Sequence, residues 1–151
     1  MKVVFLLGSK VDIEFANIMV SMLSDWGVAN EVIVASAHKV PEKVFGIVTQ
    51  NNESESDLVY ITIAGRSNGL SGVTAANSIH PVIACPPFKD KYDMAQNVNS
   101  TLVMPSDTPV LTVLDPQNAV MSAIRILALR NDGLKAKIKK HIKDIKSEFN
   151  N

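Results

Sequence analysis

The chain has 151 residues, of which 46% are hydrophobic and 20% are charged, which is typical of one globular domain with a sizeable core. Its 15 basic and 15 acidic side chains cancel, so the composition gives no reason to expect binding to nucleic acid or to a membrane surface. No apolar stretch approaches the roughly 20 residues of a membrane helix, and a single cysteine excludes an intrachain disulfide. We therefore expect a cytoplasmic protein without nucleic-acid or membrane partners.

The first strand is predicted at Lys2–Leu7, an almost wholly apolar run of the kind that helices cover on both faces of a sheet. It ends at Gly8 and Ser9, and Ser9 with Asp12 fits the capping box of a helix start. The helix that follows should end at Gly27. A glycine turn before a helix can also present free N–H groups to a phosphate, so a structural and a binding role both stay open for this loop.

The second predicted strand, Glu31–Ala35, leads into the motif Ser36–Lys39 (Ser-Ala-His-Lys), and Pro41 then opens a helix. Ligands of open parallel sheets bind at the carboxyl ends of strands, which is where this motif lies. A hydroxyl, an imidazole and an ammonium group there suit an anionic small molecule, and His38 can move a proton near neutral pH. The alternative is a chance polar cluster on a loop.

The third predicted strand, Leu58–Ile63, ends in a glycine-rich segment at residues 64–72. The glycine spacing differs from the dinucleotide-binding fingerprint, but glycines let a backbone turn tightly or approach a ligand closely. Arg66 could pair with an anion or with a neighbouring carboxylate. Asn68 could orient a ligand or cap a helix that starts near Ser71.

Two further strands are predicted in the second half of the chain, at Pro81–Cys85 and Val110–Leu114, with a loop and a short helix within Asp90–Asn99. Cys85 is interpreted as a small buried side chain rather than a nucleophile, because no base is visible beside it. Asp115 is expected to cap the helix that follows the last strand.

Alternating strands and helices predict an α/β fold with three α/β/α layers and a mainly parallel, flavodoxin-like sheet. The chain is expected to form one domain over residues 1–151, with a core at 1–130 and a lysine-rich amphipathic helix at 132–149. That helix is predicted to pack on a neighbouring subunit, with packing on its own domain as the alternative. The ends of the first three strands would bring together loop 1 (residues 8–12), loop 2 (36–39) and loop 3 (64–70).

At these loops the chain resembles the PurE family, the phosphoribosylaminoimidazole carboxylases of purine synthesis. Gly8–Asp12 is similar to the family's Gly-Ser-x-Ser-Asp, Ser36–Lys39 is similar to its Ser-Ala-His-Arg/Lys, and Pro86 follows the fourth strand as in the family. The chain departs from the family at Val11, where a second serine is usual, and at Asp107, where Pro-Ser-Gly is usual.

Two subclasses of the family differ in loop 3. The mutase form carries a histidine and reads roughly Ala-Gly-Gly-Ala-Ala-His-Leu-Pro-Gly, whereas Ala64–Leu70 here matches the carboxylase form, as do Lys39 and the segment Cys85–Pro87. The resemblance therefore implies the animal-like class II enzyme, which joins CO2 directly to aminoimidazole ribonucleotide (AIR) at C4 to give 4-carboxy-AIR (CAIR). The alternatives are the N5-carboxyaminoimidazole ribonucleotide mutase and a non-catalytic nucleotide-binding protein of flavodoxin-like fold.

The resemblance also implies roles for individual residues. His38 would be the catalytic proton shuttle, Asp12 would hold ribose hydroxyls, and loop 3 would shape the pocket for CO2. Ser9, Ser36 and Lys39 would bind the 5′-phosphate. The substrate-binding residues expected in all are Gly8, Ser9, Asp12, Ser36, Lys39, Gly65, Arg66, Ser67, Asn68 and Gly69.

No cofactor is expected besides CO2 as co-substrate: neither ATP, biotin nor a metal. The three histidines His38, His80 and His141 match no metal-ligand spacing, and no Gly-x-x-x-x-Gly-Lys-Ser/Thr motif occurs in the chain. The resemblance implies a homo-oligomer, with an octamer expected and a tetramer as the alternative.

Overall fold

The computed structural model describes residues 1–149 and consists of five parallel strands with helices on both sides. The strand order is β2-β1-β3-β4-β5, which confirms the predicted flavodoxin-like α/β fold. The elements are β1 Lys2–Leu7, a short 3-10 turn Lys10–Asp12, α1 Ile13–Trp26, β2 Ala29–Val34, α2 Pro41–Asn52, β3 Leu58–Ile63, α3 Gly69–Asn77, β4 Val82–Ala84, α4 Lys91–Leu102, β5 Leu111–Thr112, α5 Pro116–Ala128 and α6 Asp132–Glu148. Within residues 1–149 no helix combines the length and the hydropathy that crossing a bilayer requires.

Strand β1 lies between β2, which is an edge strand, and the central strand β3, and it pairs with both along its whole length. Leu7 is opposite Val34 and also opposite Ile63, so all three strands end at the same level. The pairing continues one residue further, since the Ala35 N–H donates to the Leu7 carbonyl and the Gly8 N–H donates to the Ile63 carbonyl, each at 2.9 Å. Loops 1, 2 and 3 therefore leave the sheet side by side.

Each face of the sheet has its own hydrophobic core, because successive strand residues point to opposite faces. Alternate residues of β1 and β3 pack against α1 and α5 on one face, where Leu134 of α6 joins them. The remaining residues of the same strands pack against α2 and α3 on the other face. The buried side chains fix the register of β1 and β3, since a slip of one residue would exchange the two faces.

Several element boundaries differ from the prediction. Strand β5 is only Leu111–Thr112, shorter than the predicted Val110–Leu114, because it is an edge strand whose neighbour β4 is itself short. Strand β2 is Ala29–Val34 and not the predicted Glu31–Ala35. Helix α4 runs to Leu102, three residues beyond Asn99.

Cys85 is fully buried, as predicted, and burial raises the pKa of its thiol to about 12, with a smaller contribution from the charge of Asp115. A thiol with such a pKa is almost wholly protonated at neutral pH and is a poor nucleophile. The interpretation of Cys85 as a small core residue is therefore confirmed.

The first part of helix α6 packs on its own domain. Leu134 is buried, and the Lys137 ammonium donates to the Trp26 carbonyl at 2.9 Å. The His141 ring lies edge-on to the Trp26 ring with centroids 5.3 Å apart. The far end is bare, since Phe149 is 82% exposed. Docking of α6 on a neighbouring subunit stays a prediction.

Candidate active site

Loop 1 forms the predicted capping box. The Ser9 N–H donates to Asp12 Oδ2 at 3.0 Å, and Ser9 Oγ accepts from the Val11 N–H at 3.4 Å. Gly8 brings loop 1 against loop 3, since a Cβ on Gly8 would lie 3.3 Å from the Cβ of Ala64. The structural role left open for Ser9 and Asp12 is confirmed, and their role in binding substrate stays a prediction.

Asp12 is the one carboxylate of the three loops, and it is only 9% exposed. Burial raises the pKa of its carboxyl group above the usual value, and the hydrogen bond from the Ser9 N–H lowers it by less. A carboxyl group whose pKa is raised by folding binds its proton more tightly in the folded state. Its ionisation therefore costs stability above that pKa.

Asp12→Asn is accordingly expected to be at least as stable as the wild type at pH 7, because the amide oxygen can still accept from the Ser9 N–H without a buried charge. The advantage should vanish below the unfolded-state pKa of about 4 and grow as pH rises through the folded-state pKa. Urea unfolding between pH 3 and pH 8 measures it. Glu14→Gln is the matched control, since Glu14 lies two residues further along, in the first turn of α1, but is exposed. An Asp12→Asn protein clearly less stable at pH 7 would show that the helix dipole outweighs burial.

Loop 2 is a tight turn over the end of β2. The Ser36 carbonyl accepts from the N–H groups of Lys39 at 3.2 Å and Val40 at 2.9 Å. The Lys43 ammonium donates to the Val34 carbonyl at 2.8 Å, which covers the strand end. Pro41 begins α2 as predicted. The turn leaves the side chains of His38 and Lys39 exposed at the carboxyl end of the strands.

The His38 ring lies directly against loop 3. A Cβ built on Gly69, the first residue of α3, would lie 3.1 Å from both Cε1 and Nε2 of His38. A side chain at this position would crowd the ring, whereas glycine leaves room for it. The imidazole therefore sits at the amino end of α3, where loops 2 and 3 meet.

Loop 3 carries one residue in the left-handed region, Arg66 with φ 59°. Few residues other than glycine adopt this conformation, because the Cβ approaches the carbonyl oxygen. The Arg66 side chain is exposed, and no carboxylate among residues 1–149 forms an ion pair with it. The ion pair between Arg66 and a neighbouring carboxylate, which the sequence left open, is therefore not formed within residues 1–149.

Asn68 is the amino-terminal cap of α3. Its Oδ1 accepts from the Ser71 N–H at 3.1 Å and from Ser71 Oγ at 2.9 Å, and its Nδ2 donates to Thr101 Oγ1 at 2.9 Å. The side chain is only 3% exposed, and all its described bonds are internal. Of the two roles considered for Asn68, the structure shows the cap.

Helix α4 supplies residues that the sequence did not single out. Asn97, Ser100 and Thr101 all bond loop 3. Their spacing of three and four places them on one face of the helix, but a polar stripe of this kind resembles an ordinary solvated face. Without the fold, the sequence holds no signal that this stripe faces a loop.

Two surface depressions among residues 1–149 lie away from this edge. One, of about 210 Å³, is beside Trp26 and Lys137, and the other, of about 390 Å³, is beside His80 and Arg130 at the opposite edge of the sheet. Neither contains a residue of loops 1, 2 or 3. We therefore assign the candidate site from the convergence of chemical groups and not from concavity.

The family model described as AIR carboxylase matches residues 2–148. The chain belongs to the AIR carboxylase family. It is 41% identical over 138 residues to the phosphoribosylaminoimidazole carboxylase of Archaeoglobus fulgidus, covering 91% of this chain and 75% of that protein. It is also 35% identical over 140 residues to the protein of the same name from Treponema denticola, covering 93% of this chain and 87% of that protein.

The chain is also similar to longer animal proteins and to a solved structure. The chain is 34% identical over 141 residues to the bifunctional phosphoribosylaminoimidazole carboxylase/succinocarboxamide synthetase of Mus musculus, covering 93% of this chain and 33% of that protein. It therefore spans about a third of that relative. The crystal structure of Treponema denticola PurE superimposes with a TM-score of 0.92 at 33% identity, covering 97% of this chain and 92% of that one. The resemblance found in the loops is confirmed at the level of the family.

Proposed function

We propose that this protein catalyses the reversible carboxylation of AIR at C4 with CO2 to give CAIR, a step of de novo purine biosynthesis. The observation that carries the proposal is the position of the His38 ring on Gly69, at the point where loops 2 and 3 meet. Membership of the family and the names of its relatives from archaea, bacteria and animals support this reaction.

The chemistry requires one proton transfer. The ring carbon C4 of AIR is electron-rich, like an enamine carbon, and its electron pair forms the new bond to the carbon of CO2. C4 then carries both the carboxylate and its original proton. The imidazole of His38 takes that proton, the electrons of the C–H bond restore the aromatic ring, and the same group returns the proton in the reverse direction. Holding the two reactants together can supply roughly 7–11 kcal/mol of the barrier.

The substrate would lie across loops 1 and 2. Lys39 is exposed at the edge of the sheet and offers a positive charge to the 5′-phosphate. Since an ammonium group lacks the bidentate fork of arginine, hydroxyls of Ser9 and Ser36 and nearby backbone N–H groups would complete the phosphate site. Asp12 would accept from the ribose hydroxyls. Loop 3, from Gly65 to Gly69, would form the pocket for CO2 and for the new carboxylate.

Use of free CO2 is proposed on the basis of loop 3. Gly65–Leu70 has no histidine, whereas the mutase form of the family carries one there. The relatives named above are all called carboxylases. We propose that no metal, ATP or biotin takes part, because CO2 reacts without prior activation.

We also propose that the protein is a cytoplasmic homo-oligomer, an octamer in the first instance and a tetramer as the alternative. Large apolar side chains that are exposed to solvent in the single chain support association with further copies of it. They include Val103 and Phe149, each 82% exposed, and Ile18 and Phe45, each 55% exposed. Sedimentation at several protein concentrations tests the state of assembly.

A paired assay tests the reaction. One arm supplies AIR with bicarbonate as the source of CO2, and the other supplies N5-carboxyaminoimidazole ribonucleotide. We expect CAIR in the first arm at a rate above the uncatalysed control. Product only in the second arm, without dependence on free CO2, would make the protein a mutase. No product in either arm from folded protein would favour the non-catalytic nucleotide-binding alternative.

A further inference from the structure

Helix α4 presents three polar side chains to loop 3. Asn97, Ser100 and Thr101 share one face of the helix, and Asn97 and Thr101 are 2% and 1% exposed. The Asn97 amide bridges two chain segments: its Oδ1 accepts from the Arg66 N–H at 2.5 Å, and its Nδ2 donates to the Pro87 carbonyl at 2.8 Å. Both ends of this side chain are therefore committed to the protein.

The hydrogen bond from the Arg66 N–H to Asn97 holds the one residue of loop 3 whose backbone is in the left-handed region. Arg66 is left-handed, and a residue with a Cβ stays in that conformation only when its surroundings hold it there. Asn97 also lies close to the preceding residue, because a Cβ on Gly65 would be 3.1 Å from Asn97 Nδ2. The amide therefore fixes the direction in which loop 3 leaves β3.

The other end of loop 3 is held by the next turn of the same helix. Ser100 Oγ accepts from the Asn68 N–H at 2.6 Å, and Thr101 Oγ1 accepts from Asn68 Nδ2 at 2.9 Å. Asn68 in turn caps α3, and the His38 ring lies against the first residue of that helix, Gly69. Hydrogen bonds thus connect α4 through loop 3 to the start of α3, and the imidazole lies against that start without a hydrogen bond to it.

We infer that Asn97 is a positioning residue that sets the CO2-binding geometry of loop 3 through its bond to the Arg66 N–H. The inference rests on the proposed function, because it assigns CO2 to loop 3 and the nucleotide to loops 1 and 2. Asn97 itself touches neither substrate. Loss of its amide should therefore affect the two substrates unequally.

The test compares the wild type with Asn97→Ala, measuring KM for AIR and KM for CO2 with carbonic anhydrase present to fix the CO2 concentration. We expect KM for CO2 to rise by about tenfold or more, because small displacements of reacting groups are costly. KM for AIR should stay within about threefold of the wild type. A merely structural role would lower the amount of folded enzyme and leave both KM values unchanged.

Two further variants keep the test decisive. Asn99→Ala is the matched control, since Asn99 lies on the same helix but is exposed; it should behave as the wild type. Ser100→Ala removes only the acceptor for the Asn68 N–H and should raise KM for CO2 in the same direction, by about threefold, even if Asn97→Ala does not fold. Unchanged CO2 kinetics in folded Asn97→Ala, or in Ser100→Ala when Asn97→Ala does not fold, would overturn the inference. A wild type that makes no CAIR from AIR and CO2 would instead overturn the proposed function.

Discussion

Replacing His38 with asparagine is expected to reduce carboxylation of AIR by at least about 10²–10⁴-fold, the usual contribution of a positioned acid–base group. Asparagine keeps polarity and approximate size but cannot take a proton from C4. The His38 side chain is exposed and makes no hydrogen bond within residues 1–149, so its loss should leave the fold and the binding of the nucleotide unchanged. Steady-state kinetics and titration with AIR measure the two effects separately.

The control for this variant is His141→Asn. His141 lies on α6 against Trp26, far from the three loops in the chain, and has no role in the proposed chemistry. It should retain wild-type turnover. Full activity of His38→Asn, or equal losses in both variants, would remove His38 from the role of proton shuttle.

The second large effect is expected from Gly69→Ala. The new Cβ would lie 3.1 Å from two atoms of the His38 ring, closer than most real contacts, so the ring must move by a few tenths of an ångström. Turnover should fall by about 10- to 100-fold, because catalysis depends steeply on the position of the base. Stability should not fall, since alanine is favoured over glycine in a helix. Kinetics and thermal unfolding of the same preparation give both values.

Gly46→Ala is the matched control for the added methyl group. Gly46 lies inside α2, and a Cβ there would meet nothing within 4 Å. This variant should gain about 0.5–1 kcal/mol of stability at unchanged activity. If Gly69→Ala were as active as Gly46→Ala, the observed ring position would have no bearing on turnover.

The centre of the sheet could be predicted from the sequence to the residue. Strands β1 and β3 have the predicted bounds, because apolar side chains on both faces mark a buried parallel strand without ambiguity. Their equal lengths and in-register pairing bring loops 1 and 3 to one edge. The meeting of the loops is thus a direct consequence of strand patterns that the sequence displays.

The contacts around loop 3 could not be predicted in the same way. Whether Asn97 faces solvent or Arg66 depends on how α4 is oriented, and α4 has no strong apolar stripe that would orient it in advance. The predicted length of the edge strand β5 was too great for a related reason. Its length depends on a partner strand of only three residues, β4, and not on its own composition.

The departure at Asp107 has a physical explanation. Asp107 has φ 61°, so the turn at this position requires the left-handed conformation. Glycine, usual in the family, adopts it freely, and aspartate is among the residues that tolerate it best. The aspartate is therefore compatible with the same turn, at a modest cost in conformational energy. Nothing in the structure explains Val11, which is 83% exposed.

The unequal lengths of the strands imply an order in which the sheet opens locally. Each of the six residues of β1 has partners on both sides, whereas β5 contributes two residues at an edge. Amide hydrogens of β1 and β3 should therefore exchange with solvent most slowly, and those around Leu111 much sooner. Loops 1 and 3 leave these two strands directly, and loop 2 leaves β2, the edge strand on the side of the sheet away from β5. The edge at β5 can fray and re-form while the groups proposed to bind AIR keep their arrangement.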